Sequence, residues 1–190
     1  MTEYEFVEWT RDEANAEWVD GEVILKMPIS RAHDALQFWL RLLITEFVQK
    51  RKLGEVCGPQ FTIRLPHRPS RRDPDVMFVA NERLHLLGNT FMDGPSDLAI
   101  EVVLPESIQR DYHEKYFEYE GAGVREYWIV DPLSQTVSLF TLSAAGKYEK
   151  IEPVNGRLNS VVLPGLWINN TDPFKNPLPE VQALLAEMNV

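Results

Sequence analysis

Leu98-Ala99-Ile100-Glu101-Val102-Val103-Leu104 sets one carboxylate in the middle of an otherwise apolar run, and that acid constrains the fold more than any other residue. The run reads as a strand over 97–104. On a strand, residues two apart share a face, so Ala99, Glu101 and Val103 point one way while Leu98, Ile100 and Val102 point the other. A carboxylate in such a place is costly unless something cationic satisfies it, and a bound metal would do so. Asp75, after Pro74, opens a second apolar run, Val76 to Val79. If the neighbouring strand brings Asp75 alongside Glu101, two carboxylates converge on a site suited to Mg²⁺ or Mn²⁺, hard cations that prefer oxygen ligands. The backbone carbonyl of Val102 is within reach as a further donor.

A chain of 190 residues, 44% of them apolar, is long enough for one domain with a real core and short for two. A single domain spanning 1–190 is expected, with its core at about 5–142 and a C-terminal extension over 143–190. The lone cysteine, Cys57, excludes an intramolecular disulfide framework and a cysteine-rich zinc site, and reads as a small buried apolar residue in a reducing compartment. The N-terminus is acidic where a secretory signal would be basic. No apolar stretch approaches the roughly 20 residues needed to cross a bilayer, so a soluble, cytoplasmic protein is expected.

The predicted elements are α/β. Asp20-Gly21 is a turn into a strand that ends at Pro28. From Ser30 to Leu53, apolar residues at Leu36, Trp39, Leu40, Leu43, Ile44, Phe47 and Val48 follow the helical period, with Ser30 as N-cap and Gly54 as the stop. Strands follow over 55–65, 75–80 and 97–104, then a helix over 108–122 and strands over 125–130, 136–142 and near Tyr148. A strand, helix and strand so closely linked suggest a parallel crossover, and the earlier strands an antiparallel meander, giving a mixed sheet between helices. Residues 180–188 read as a short helix that serves packing or dimerisation.

In the helix over 108–122, Asp111, Lys115 and Tyr119 fall at i, i+4 and i+8 and share one face. That face either returns over the Glu101 strand or is an exposed charged surface. A lysine beside a metal would orient the attacking water or stabilise transition-state charge. A net charge of −10 repels a polyanion at long range, so local cations matter. Arg64, His67, Arg68, Arg71 and Arg72 precede Asp73 without an intervening acid. They read either as a phosphate-contacting loop, with Arg68, Arg71 and Arg72 as substrate contacts, or as a solvated connection. No helix-turn-helix or zinc finger is legible.

Asp20-Gly21-Glu22, Met27-Pro28, His33, Pro74-Asp75-Val76, Ile100-Glu101-Val102, Asp111, Lys115, Tyr119, the segment from Gly121 through Gly123-Val124-Arg125-Glu126-Tyr127-Trp128, and Val130-Asp131-Pro132 together resemble the Uma-two family. This is a bacterial family of restriction-endonuclease-like domains in the PD-(D/E)XK nuclease superfamily. The resemblance runs over about residues 5 to 142. It implies a restriction-endonuclease-like mixed β-sheet core flanked by helices, with extra N-terminal and C-terminal β elements. It also implies that Asp75 and Glu101 bind the metal and that Lys115 is the active-site lysine, moved from the strand, where Val103 stands instead, to the following helix. Glu22 matches a family acid that either joins the site or lies on a strand edge. His33 matches a family histidine whose role is either packing or support of the site. Ser107 departs from the family's Leu-Ser-Pro sequence and is expected to cap the second helix.

The expectation from the sequence is therefore a Mg²⁺-dependent endonuclease acting on DNA, as a homodimer because double-strand cleavage calls for two sites. The competing expectation is a nuclease fold without turnover that serves as a nucleic-acid-binding or interaction module.

Overall fold

The chain crosses from one sheet to the other between Arg72 and Val76, with only Asp73-Pro74-Asp75 intervening. This short junction fixes how two sheets meet. The computed structural model describes residues 1–10 and 15–190. Helix α1 (Glu3–Thr10) precedes the hairpin β1 (Ala16–Val19) and β2 (Glu22–Leu25), and the long helix α2 (Arg31–Arg51) follows. Next come β3 (Gly54–Cys57), β4 (Thr62–Leu65), β5 (Ser70–Arg72), β6 (Val76–Ala80), β7 (Phe91–Asp93) and β8 (Leu98–Val102). A π-helical turn over Arg110–Glu114 leads into α3 (Lys115–Ala122), then β9 (Glu126–Asp131), β10 (Thr136–Leu142) and β11 (Tyr148–Ile151). The hairpin β12 (Arg157–Asn159) and β13 (Trp167–Asn169) and the helix α4 (Val181–Glu187) complete the described elements.

The larger sheet has the order β11-β10-β9-β8-β6-β3. Within it β8 and β9, joined through α3, are parallel, while β6 is antiparallel to both β3 and β8. This is the expected mixed sheet. Its alternation sorts the core into two layers. Val76, Phe78, Leu98, Ile100, Val102, Trp128 and Val130 face the apolar stripe of α2, Leu36 through Val48. Met77, Val79, Ala99, Val103, Tyr127 and Ile129 face Tyr119 of α3. The sheet is thus covered by α2 on one face and α3 on the other. The smaller sheet, β2-β1-β5-β4-β7, stands beside it, and Phe6 of α1 packs on Ala16 and Trp18 of β1.

Several boundaries differ from expectation. The strand expected over 55–65 is two strands in different sheets, split where Gln60 takes φ 71°. α2 begins as expected, with the Ser30 side chain accepting from the His33 N–H, but it ends through Lys52 in the left-handed region. Gly54 has another purpose: a Cβ there would fall 2.0 Å from the Val79 carbonyl oxygen, so glycine allows β3 to approach β6. Helix α1 has no counterpart in the sequence reading, and the second sheet takes up the expected strand before Pro28 as β2 and the later part of the 55–65 strand as β4. The C-terminal helix serves packing, since Val181, Leu184 and Leu185 join the α2 side of the core and Trp39 Nε1 donates to the Pro179 carbonyl at 2.8 Å. Among the described residues, no helix is long and apolar enough to cross a membrane.

Candidate active site at the junction of the two sheets

Asp75 ends the junction between the sheets, and Val76 of β6 pairs with Ile100 of β8, next to Glu101. The pairing brings both acids to the floor of one cleft of about 610 Å³. Asp75 is held from two directions: Gln37 Nε2 donates to its Oδ1 at 2.6 Å and the Val102 backbone N–H donates to its Oδ2 at 2.7 Å. His33 Nε2 lies 2.9 Å from the Val102 carbonyl oxygen and 3.9 Å from Asp75 Oδ2. The side of α2 that carries His33 and Gln37, one turn apart, thus supports the Asp75–Val102 pair.

Glu101 is met from the opposite direction. Tyr119 donates its hydroxyl to Oε1 at 2.8 Å, and Lys115 Nζ is 2.8 Å from Oε2. Lys115 also lies 3.1 Å from Glu17 Oε1 and 3.5 Å from Asp111 Oδ1. The expected face of Asp111, Lys115 and Tyr119 therefore turns inward over the strand, and all three residues are buried. The π-turn closes through an i→i+5 bond from the Lys115 N–H to the Arg110 carbonyl, a local widening that often accompanies functional sites. Ser107 anchors its start. Its hydroxyl accepts from the Leu104 N–H and makes a short bond to Asp111, and its carbonyl accepts from the Asp111 N–H.

Glu17 is the acid that sequence reasoning missed. It is buried on β1, with Arg72 Nη1 at 2.8 Å, and accepts from the Asp73 N–H at 3.2 Å. Its neighbours do not announce it: an acid between Ala16 and Trp18 reads as the solvent face of a half-buried strand. Glu22 sits across the hairpin, paired in register with Val19, and is exposed on β2 away from the cleft. The hairpin turn places it on the solvent side, so its expected share in the site passes to Glu17.

The arginines of the basic segment are corrected in the same way. Arg72 is wholly buried, its guanidinium spanning Glu118 (2.7 and 2.8 Å) and Glu17. Arg71 pairs with Glu3 and stacks over the Phe91 ring. Arg68 reaches Asp20 and Glu118. Arg71 and Arg72 are buried strand residues of β5, and all three guanidiniums bind the fold's own carboxylates instead of standing free for phosphate.

The electrostatics follow from crowding. Burial raises the Glu101 carboxyl to about 8, and Asp111, Asp75 and Glu17 add to the rise against the opposing pull of Lys115. Burial also raises Asp75, partly offset by Lys26, the Val102 N–H and Lys115. Glu17 goes the other way: burial opposes its ionisation, but Lys115, Arg72 and Lys26 together hold it well below the usual range. Lys115 is held above its ordinary value because Glu101, Glu17 and Asp111 outweigh the burial that would deprotonate it. Perturbed groups gathered in a cleft make it a candidate functional site.

A mixed sheet between helices, with two acids on adjacent strands and a lysine returning from the crossover helix, defines a restriction-endonuclease-like class of protein. Comparison with known proteins agrees. Residues 3–171 match the Uma2 family, described as "Putative restriction endonuclease", and the chain belongs to that family. A solved structure from Anabaena variabilis, titled a putative nuclease belonging to DUF820, shares the fold with a TM-score of 0.77 at 18% identity. The alignment covers 92% of this chain and 97% of that one. No curated protein matches.

Proposed function

We propose that this protein is a Mg²⁺- or Mn²⁺-dependent endodeoxyribonuclease that hydrolyses phosphodiester bonds, with Asp75, Glu101 and the Val102 carbonyl as metal donors and Lys115 as the charge-stabilising group. The observation that carries the reading is the meeting of Asp75 and Glu101 in one cleft with Lys115 Nζ 2.8 Å from Glu101. Taking these charges out of water is costly, and a buried ion pair is weak evidence of a stabilising role. The family match supports the same class of activity.

The residues fit a hard divalent cation. Every donor is an oxygen, and Asp111 Oδ1 is buried beside them without a hydrogen-bond donor. Among the described residues, no three acidic, histidine or cysteine side chains close into a ready-made cage. Mg²⁺ keeps several of its waters and is held by one or two carboxylates, so Asp75 and Glu101 suffice as its side-chain ligands in this reading. When bound, such a cation polarises a phosphoryl oxygen and lowers the pKa of a bound water.

The protein's own residues supply the rest. Lys115, kept protonated by its three carboxylates, cannot serve as the base that takes the water's proton. It donates hydrogen bonds and offsets the negative charge that grows on the phosphate oxygens as water oxygen bonds to phosphorus and the bond to the leaving oxygen breaks. Tyr119 and Lys115 hold the two oxygens of Glu101, and Gln37 and the Val102 N–H hold those of Asp75, so neither acid rotates freely.

The test is calorimetric titration of Mg²⁺ and Mn²⁺ into the wild type and Asp75→Ala, followed by cleavage of plasmid and single-stranded DNA with the same samples. The reading expects metal binding and metal-dependent cutting, both lost in the variant. A folded wild type that neither binds metal nor cuts would reduce the protein to a nuclease-fold binding module.

A further inference from the structure

Among the described residues, three cationic side chains line the cleft: Lys26, Arg110 and Lys115. Two are already neutralised. Lys26 Nζ is 2.7 Å from Asp73 Oδ2, and Lys115 serves Glu101, Glu17 and Asp111. Arg110 differs from both. Among the described residues its guanidinium makes no ion pair and no hydrogen bond, and its Nε is buried without an acceptor. The side chain as a whole is half-buried. Its terminal amino groups, neither buried nor bonded, are accessible at the cleft wall. Its carbonyl accepts the Lys115 N–H across the π-turn, which sets Arg110 one turn before Lys115 on the same helical segment.

The geometry points to Arg110 as the side chain that takes a backbone phosphate of the substrate, replacing Arg68, Arg71 and Arg72 in that role; this rests on the nuclease reading above. The charge argument is direct. A chain of net charge −10 whose cleft floor carries Asp75 and Glu101 repels a polyanion; Lys26 is paired with Asp73 and Lys115 is committed to the acids at the reacting centre, so neither is left to hold a flanking phosphate. Arg110 is a cleft cation with its charge unspent, and a guanidinium presents a fork that matches phosphate oxygens. A buried donor without an acceptor is also costly, and fixing the guanidinium against a phosphate would organise the side chain that carries it.

The test is fluorescence anisotropy of a fluorescein-labelled DNA duplex, and of one of its strands, in calcium buffer across a salt series. It uses the wild type, Arg110→Gln and Arg110→Lys, each with a thermal melt. Arg110→Gln is expected to weaken binding about tenfold and to flatten the slope of log affinity against log salt by about 0.7 to 0.9, with an unchanged melt. Arg110→Lys is expected to keep the wild-type slope. Wild-type affinity and slope in Arg110→Gln would overturn the assignment and leave the nuclease reading standing. A large fall in melting temperature would mark Arg110 as structural and overturn it too. No wild-type affinity for either DNA would overturn the nuclease reading and the role of Arg110 together.

Discussion

Glu101 and Glu126 are both buried acids on neighbouring parallel strands, β8 and β9, yet they face opposite layers and meet different partners. Glu126 turns toward the α2 side. Its Oε1 accepts from Trp128 Nε1 at 2.6 Å, and its Oε2 accepts from the backbone N–H groups of Val161 and Val162 at 2.6 and 3.0 Å. Backbone donors cannot be removed by a change of rotamer, so Glu126 fastens the segment before β13 to the sheet. Glu101 turns toward α3, its partners are two buried side chains of that helix, Tyr119 and Lys115, and Glu101 and Lys115 line the cleft. One sheet therefore holds the same residue type as a structural tie on one face and in the candidate site on the other. The difference lies in whether backbone N–H groups help to hold the carboxylate or helix side chains alone do, and in whether the acid lines the cleft.

The sharpest break of this comparison is Glu101→Gln against Glu126→Gln in a plasmid-nicking assay. Glu101→Gln keeps its size and is expected to cost about 10²-fold or more in cleavage rate, while Glu126→Gln keeps near wild-type cleavage. Equal losses in the two variants would erase the distinction. Lys115→Ala is expected to destabilise by about 3 to 5 kcal/mol in urea unfolding, because it strands buried carboxylates, and to abolish cleavage. A loss below about 1 kcal/mol would show that the carboxylates simply take up protons.

Glu17→Ala is expected to cost about 3 kcal/mol, since it leaves the buried Arg72 and Lys115 short of a partner. Glu22→Ala, at an exposed strand position, should stay within about 0.5 kcal/mol with cleavage intact. A reversal between these two acids in the same unfolding experiment would return Glu22 to the site.

The smallest effect concerns pH. Burial raises the Glu126 carboxyl above its ordinary 4.5, against the bonds from Val162, Ser160, Trp128 and Val161 that lower it. The folded chain then holds this proton more tightly than the unfolded chain. The stability that results is complete below 4.5 and is lost as pH rises through the higher folded value. Melting curves at several pH values should show wild-type stability falling relative to Glu126→Gln across that window, and a constant difference would contradict the raised value.

Much of the architecture was legible because local patterns report local structure. The apolar period of residues 36–48 marked α2, the embedded Glu101 marked β8, and the spacing of Asp111, Lys115 and Tyr119 marked one helical face. What the pattern left open was where that face would turn, since a charged helical stripe is the same string whether it meets solvent or buried acids. Glu17 was missed because Lys115 and Arg72, its partners, lie far along the chain. Arg71 and Arg72 were misread for the same reason: nothing near them in sequence announces Glu3 or Glu118.

The sequence by itself determined α2, β8, the shared helical face of Asp111, Lys115 and Tyr119, the mixed sheet between helices and the acids and lysine that such a fold offers, because periodicity and the cost of a buried carboxylate act within a few residues. Only the tertiary structure decided which charges are already paired. Ion pairing depends on side chains brought together from β1, β5, β8 and α3, and that choice turns Glu17 inward, withdraws Arg72 from phosphate and leaves Arg110 unpaired at the cleft.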